Sequence, residues 1–183
     1  GIAVFDSESN SVEGDAGLTM TGGRYRMAKL NETLPQLLGI ATPYSLSAGI
    51  IELYGTSAVQ THSLRGTFNS GSNTVQYYNI ELNSIAANVT AGNANVVTQA
   101  SFGVQGVMNV NSPTCFKISS PYTIQDAGVS SVFDLKAGAT LKYGSEISTS
   151  GNTGDIRTDI RNFPTTASYG FVGSLTPQTV GNG

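Results

Sequence analysis

The stretch "TVQYYNIEL", residues 74–82, alternates apolar and polar side chains and decides the fold class. Ile80 and Leu82 share one face, and Glu81 lies on the other. The segment "DIRTDIR", residues 155–161, alternates in the same way. A period of two residues is typical of a strand with one buried face, so both segments are predicted to be β-strands.

The rest of the chain follows the same pattern. Glycine and proline interrupt it about every 8 to 12 positions, and the segments between them are rich in Val, Ile, Thr, Tyr and Phe. This pattern predicts an all-β fold, an Ig-like or jelly-roll β-sandwich. "GIIELYGTSA" is echoed in "YNIELNSIAA", which we interpret as two hairpin strands of similar composition. The predicted strands are 24–30, 46–54, 57–68, 74–82, 94–103, 104–110, 115–119, 129–135, 139–143, 155–161 and 168–173.

One short helix is expected in "NETLPQLLG". Thr33 is its cap, Pro35 lies in its first turn and Gly39 ends it. At 183 residues the chain is most simply one folded domain. We divide it into an extended N-terminal strand and hinge, residues 1–15, and a single β-sandwich domain, residues 16–183.

The composition indicates a location outside the cell. Charged residues make up only 11% of the chain, whereas Ser, Thr and Asn together number 55. A surface wetted by hydroxyls and amides suits a secreted protein or a stable assembly, at the cell surface or in a virion. The chain begins with Gly1, which we attribute to removal of a secretory leader.

The net charge of −3, without a basic stripe, argues against binding to nucleic acid. No apolar run is long enough to span a membrane.

Catalytic and metal chemistry has little support. His62 is the one histidine and Cys115 the one cysteine, too few for a nucleophile with its base or for a structural zinc site. Asp6, Glu8 and Asn10 have the spacing of calcium ligands, but the glycine and the closing glutamate of an EF-hand loop are missing. We therefore predict no enzyme activity, no metal and no cofactor.

Two kinds of covalent modification are conceivable. Asn31 and Asn88 begin Asn-x-Thr sequons and are candidate glycosylation sites in a secreted protein. Lys117, Lys136 and Lys142 lie in or beside strand-like segments and could form Lys–Asn crosslinks.

The start of the chain carries the strongest functional hypothesis. Ile2, Ala3, Val4 and Phe5 form an apolar strand ahead of a polar, glycine-containing joint. Such a strand can close an edge of its own fold or complete the sheet of a neighbouring subunit by β-strand addition. Repeated head to tail, the second use generates a filament made of copies of this chain.

"GIAVFDSES", with the later "AGLTM", resembles the opening of secreted fibre subunits, the archaeal thread pilins and the TasA-like fibre proteins. The resemblance covers some twenty residues. It implies a structural subunit of an extracellular filament or pilus that polymerises by donor-strand complementation. Such a subunit has no catalytic activity and can be adhesive.

Two alternatives remain. One is a viral structural protein, a phage tail fibre, spike or capsid jelly roll. The other is a secreted carbohydrate-binding module, whose candidate platform is Tyr54, Tyr77, Tyr78 or Tyr122.

Overall fold

The chain folds as a parallel β-solenoid, seen here in a computed structural model. A solenoid winds as successive coils, and each coil adds one strand to each of several sheets. The structure describes residues 2–5, 13–14, 17–27, 36–37, 44–55, 62–68, 73–84, 94–147 and 153–172.

The described residues form short strands and no helix. In chain order they are β1 (Ile2–Phe5), β2 (Glu13–Gly14), β3 (Leu18–Met27), β4 (Gln36–Leu37), β5 (Tyr44–Gly55), β6 (His62–Leu64), β7 (Thr67–Phe68), β8 (Asn73–Thr74), β9 (Gln76–Tyr77), β10 (Asn79–Ser84), β11 (Val96–Thr98), β12 (Phe102–Val104), β13 (Val107–Val110), β14 (Cys115–Lys117), β15 (Ile124–Asp126), β16 (Val132–Leu135), β17 (Thr140–Tyr143), β18 (Ile156–Arg157), β19 (Ile160–Asn162) and β20 (Ser168–Phe171).

Three parallel sheets form the faces of the solenoid. The long sheet has the order β1-β3-β5-β10-β13-β16-β19, the five-stranded sheet β20-β17-β14-β11-β6, and the four-stranded sheet β18-β15-β12-β9. From β10 onward, consecutive strands visit the long, five-stranded and four-stranded sheets in turn, three times over, before β19 and β20. Two small pairs, β2 with β4 and β7 with β8, lie outside these faces.

A five-residue segment recurs in the long sheet. "IIELY", "NIELN", "VMNVN", "VFDLK" and "IRNFP", which begin at residues 50, 79, 107, 132 and 160, stand in register on neighbouring strands. Their spacing of 25 to 29 residues is the length of one coil. The second and fourth positions are apolar in the first four segments, and the third and fifth are mostly polar, so one side faces inward and the other outward.

The core consists of inward rows that cross the strands. Within the long sheet, Ile51, Ile80, Met108 and Phe133 occupy one row, and each is at most 2% exposed. Similar rows in the other two sheets complete the interior. Stacking identical positions buries each side chain against its neighbours in the adjacent coils, so no coil needs a core of its own.

The predicted β-sandwich is therefore wrong, although the all-β class is confirmed. Alternation and turn spacing reveal strands but not their partners, and both architectures place a turn every 8 to 12 residues. The echo between "GIIELYGTSA" and "YNIELNSIAA" was the available signal. Glu52 pairs with Glu81 and Leu53 with Leu82, so these segments are adjacent coils in parallel register rather than a hairpin.

Several local predictions also need correction. The stretch 74–82 does not form one strand, because it contains the end of β8, the whole of β9 in the four-stranded sheet and the start of β10 in the long sheet. The predicted strand 94–103 likewise divides between β11 and β12.

Gln36 and Leu37, placed in the predicted helix, form strand β4 instead, and the rest of that segment lies outside the described residues. The predicted strand 155–161 divides between two sheets, with Ile156 in β18 and Ile160 in β19. A corner of the solenoid interrupts the alternation there.

Candidate functional site

The outward side of the long sheet carries a connected set of polar side chains. We call it the polar face and define it by two rows that cross the strands. The first row is Arg26, Glu52, Glu81, Asn109, Asp134 and Asn162, and the second is Tyr54, Asn83, Asn111 and Lys136, with Arg24 beside the first.

An ion network occupies one end of the polar face. Arg24 Nη1 donates hydrogen bonds to Glu52 Oε2 at 2.8 Å and to Glu81 Oε2 at 2.5 Å. Arg26 Nε donates to Glu52 Oε2 at 2.9 Å, and its guanidinium lies 4.2 Å from the centroid of the Tyr54 ring. Glu52 and Glu81 are direct neighbours on adjacent strands, so Arg24 neutralises two carboxylates that would otherwise repel each other.

Glu52 is only 6% exposed although it points outward, because these partners cover it. Burial by itself would raise the pKa of Glu52, but hydrogen bonds from Asn83, Arg24 and Arg26 more than offset it, and the pKa lies below its ordinary value. The pKa of Arg24 is raised, chiefly by its hydrogen bond to Glu81. Both residues are therefore charged at neutral pH.

An amide ladder continues from this network toward the middle of the sheet. Asn83 Nδ2 donates to Glu52 Oε1 at 2.8 Å, and Asn111 Nδ2 donates to Asn83 Oδ1 at 2.7 Å. Further along, Lys136 Nζ forms a salt bridge with Asp134. The polar side chains are thus oriented by one another across neighbouring strands.

An open cleft lies at the far end of the polar face. Its volume is about 580 Å³, and it is lined by residues 134–137 and 161–164. Its polar side chains are Asp134, Lys136, Arg161 and Asn162, and its apolar ones are Leu135, Ala137, Phe163 and Pro164. The Phe163 ring is held between Phe133 and Tyr169, at centroid distances of 5.8 and 6.5 Å.

The last coil that the structure describes supplies one edge of each face. In this part of the chain β18, β19 and β20 are the edge strands, and Ile160, Tyr169 and Phe171 are exposed there. Arg161 stands in register with the buried Phe133, at an inward position. Burial lowers the pKa of Arg161, whose Nε donates to the carbonyl of Thr158 at 2.9 Å.

The N-terminal strand proposed as a subunit interface pairs within its own chain. Ile2, Ala3, Val4 and Phe5 form β1, which lies parallel to β3 as the opposite edge of the long sheet. The sequence allowed this arrangement as one of two uses of the strand. The sequons at Asn31 and Asn88, and the incomplete calcium loop of Asp6, Glu8 and Asn10, lie outside the described residues.

The other residues considered from the sequence are dispersed. His62 lies in β6, in register with Val96, and Cys115 is buried, which raises the pKa of its thiol. Lys117 and Lys142 are register neighbours on β14 and β17. Where side chains are described, no three His, Cys, Asp or Glu residues are grouped to hold a metal. Among the same residues, no helix is long and apolar enough to cross a membrane.

The four tyrosines suggested as a sugar platform do not share a surface role. Tyr77 is fully buried and its hydroxyl donates to the carbonyl of Arg65, so it cannot contact a ligand. Tyr54 lies beneath Arg26, and Tyr78 sits at a corner between β9 and β10. Tyr122 is half-buried in the loop before β15.

Apart from Tyr54 and Lys136, which were considered for other roles, sequence reasoning did not single out the residues of the polar face. Arg24, Glu52, Glu81, Asn109 and Asp134 are ordinary surface residues when each strand is considered alone. Aligning the five recurrent segments would have placed a polar residue at the third position of every coil. Comparison of the chain with family models, with curated proteins and with solved structures found no match.

Proposed function

We propose that the chain is a structural subunit of an extracellular filament, without catalytic activity, in which copies add head to tail through their sheet edges. The observation that supports this proposal most is the strand order of the long sheet, which leaves an unpaired edge at each end of the described strands. Its edge strands are β1 and β19, all its strands run parallel, and in the described part of the chain no strand pairs with the outer side of either.

Such edges are templates for a further strand. Unpaired backbone N–H and C=O groups attract another chain unless the edge is protected. When β1 of one copy pairs with β19 of the next, the parallel register of the long sheet continues from one molecule into the other. The contact joins two different surfaces and does not close on itself, so it propagates as a fibre. In this form β1 stays paired with β3 and also completes the neighbouring sheet.

Exposed apolar side chains on the last coil favour the same contact. Ile160, Tyr169 and Phe171 are 39–49% exposed there. Covering them with a neighbouring copy is favourable.

Assembly of the purified chain tests the proposal. We expect sedimentation and electron microscopy to detect fibres whose formation depends on concentration. Deletion of residues 1–10 and the edge variant Ile160→Lys should each prevent assembly, because the first removes the donor edge and the second places a charge on the acceptor edge. Val129→Lys is the control, since Val129 is 98% exposed at a corner away from both edges.

Two results would contradict the proposal. One is an intact chain that remains monomeric at high concentration, and the other is an Ile160→Lys variant that assembles as well as Val129→Lys. The same contact would serve a virion fibre, the alternative from the sequence. A leader peptide encoded upstream of Gly1 would favour the secreted filament.

A further inference from the structure

We infer that the polar face and its adjoining cleft bind a neutral carbohydrate chain. The site comprises Asn109, Asn111, Asp134, Lys136 and Asn162 on neighbouring strands, with Phe163 in the cleft. It lies on the outward side of the long sheet, and its last members, Asn162 and Phe163, lie in and just after β19, the acceptor edge of the assembly proposed above.

The first argument is the supply of hydrogen-bonding groups. Among the described residues, the side-chain amides of Asn109 and Asn162 make no hydrogen bond to the protein. Each offers a carbonyl oxygen and two N–H donors, a set that matches the paired donor and acceptor character of sugar hydroxyls. Asp134 stands between them in the same row, in register with both.

The second argument is pre-organisation. Asn111 is held by Asn83, Asn83 by Glu52, and Asp134 by Lys136. Side chains that are already fixed lose less conformational entropy when a ligand binds. The site is also placed on strands of a packed sheet, where side-chain positions are better defined than in loops.

The third argument is shape and polarity. The cleft volume of about 580 Å³ falls in the usual range of ligand pockets, about 300–1,000 Å³. Next to the polar rows, Val107 and Val132 form an outward row of partly exposed apolar side chains. A sugar ring presents C–H groups beside hydroxyls, so adjacent apolar and polar rows suit both parts of it.

Charge gives an anionic ligand little advantage on the polar face. The polar face contains Arg24, Arg26 and Lys136, balanced by Glu52, Glu81 and Asp134, and these ions are largely paired with one another. The cleft adds Arg161, which stands at an inward position and donates to the carbonyl of Thr158, so a polyanion finds no row of outward positive charge. Hydroxyl groups, in contrast, can use the amides and the remaining lone pairs without separating the ion pairs.

A binding assay on the intact chain tests this inference. Neutral and acidic oligosaccharides are screened on an array, and each hit is measured by titration calorimetry. We expect neutral oligosaccharides to bind, and the double variant Asn109→Ala, Asn162→Ala to bind at least about tenfold more weakly because two amide contacts are lost. Gln125→Ala is the matched control, since it removes an exposed amide from the four-stranded sheet.

Unchanged circular dichroism in both variants establishes that a loss of affinity is not a loss of fold. The inference is overturned when no neutral oligosaccharide binds the intact chain or when acidic oligosaccharides alone bind. It is equally overturned when the double variant binds like the intact chain, or when Gln125→Ala weakens binding as much as the double variant.

Discussion

Arg24 shows how one side chain can organise a surface. It links carboxylates on two neighbouring strands, and Glu52 also accepts hydrogen bonds from Arg26 and Asn83. Exposed ion pairs contribute little to stability, but Glu52 is almost completely covered. Removing its partner therefore leaves a buried carboxylate beside the carboxylate of Glu81, and the loss is larger than that of an ordinary surface pair.

We expect Arg24→Ala to lower the free energy of unfolding by about 2 kcal/mol at pH 7, measured in urea. Arg157→Ala is the control, because its guanidinium Nε donates to a backbone carbonyl, that of Gly154. Equal effects of the two substitutions would mean that the network on the polar face contributes no special stability.

The same network predicts a pH dependence. The pKa of Glu52 is lower in the fold than its ordinary value of 4.5, so its carboxylate stabilises the fold above that pH. This contribution is lost as the pH falls from about 4.5 through the lowered folded value. The stability difference between the intact chain and Arg24→Ala should therefore shrink in acid. If the stability difference between the two proteins stays constant from pH 7 to pH 3, the ionised carboxylate of Glu52 is not its cause.

At the scale of the element, strands were easier to predict than their partners. Alternation in "NIEL" correctly placed Ile80 and Leu82 inside, because a strand shows its buried face locally. Pairing over 25 to 29 residues leaves only the recurrence itself as a signal. That recurrence is clear between "IIEL" and "NIEL" but weak in "VMNV", where only the polarity of the second to fourth positions is retained, and in "IRNF", where Arg161 replaces the apolar second residue. The polar face could not be predicted for the same reason, since strand register determines which side chains lie in one row.

Corners of the solenoid bring backbones of successive coils close together. At Gly128 a Cβ atom would lie 2.2 Å from the carbonyl oxygen of Gln105, a backbone atom that cannot rotate away. At Gly170 the nearest contact would be 3.4 Å, to the flexible side chain of Lys142.

Gly128→Ala is expected to destabilise the fold by about 1–3 kcal/mol, as overpacking does elsewhere, and Gly170→Ala by much less. Thermal unfolding of the two variants under the same conditions measures the difference. If Gly170→Ala lowers stability more than Gly128→Ala, the close approach of the Gln105 backbone is not the reason that a glycine is needed at position 128.

At the scale of the whole molecule, each coil contacts mainly the coils before and after it. Among the strands that the structure describes, interior coils are covered on both sides, whereas β19 and β20 are covered on one side only. Stability in such an array is distributed along its length, and it decreases toward strands that are covered on one side.

Hydrogen exchange measures this gradient directly. We expect amides of β10, β13 and β16 to be protected longest and those of β19 and β20 to exchange first, at a concentration where the chain is monomeric. Uniform protection from β10 to β20 would indicate that the whole stack unfolds as one unit. Slow exchange at β19 that appears only at high concentration would support end-to-end association.

The parallel arrangement of the three sheets has one more consequence. Because neighbouring strands within these sheets never reverse direction, the two ends of the stack are chemically different surfaces, one bounded by β1, β6 and β9 and the other by β18, β19 and β20. A fibre made from such units is structurally polar, with two different ends, and these ends should elongate at unequal rates. Seeded growth followed by microscopy would then reveal a fast tip and a slow one.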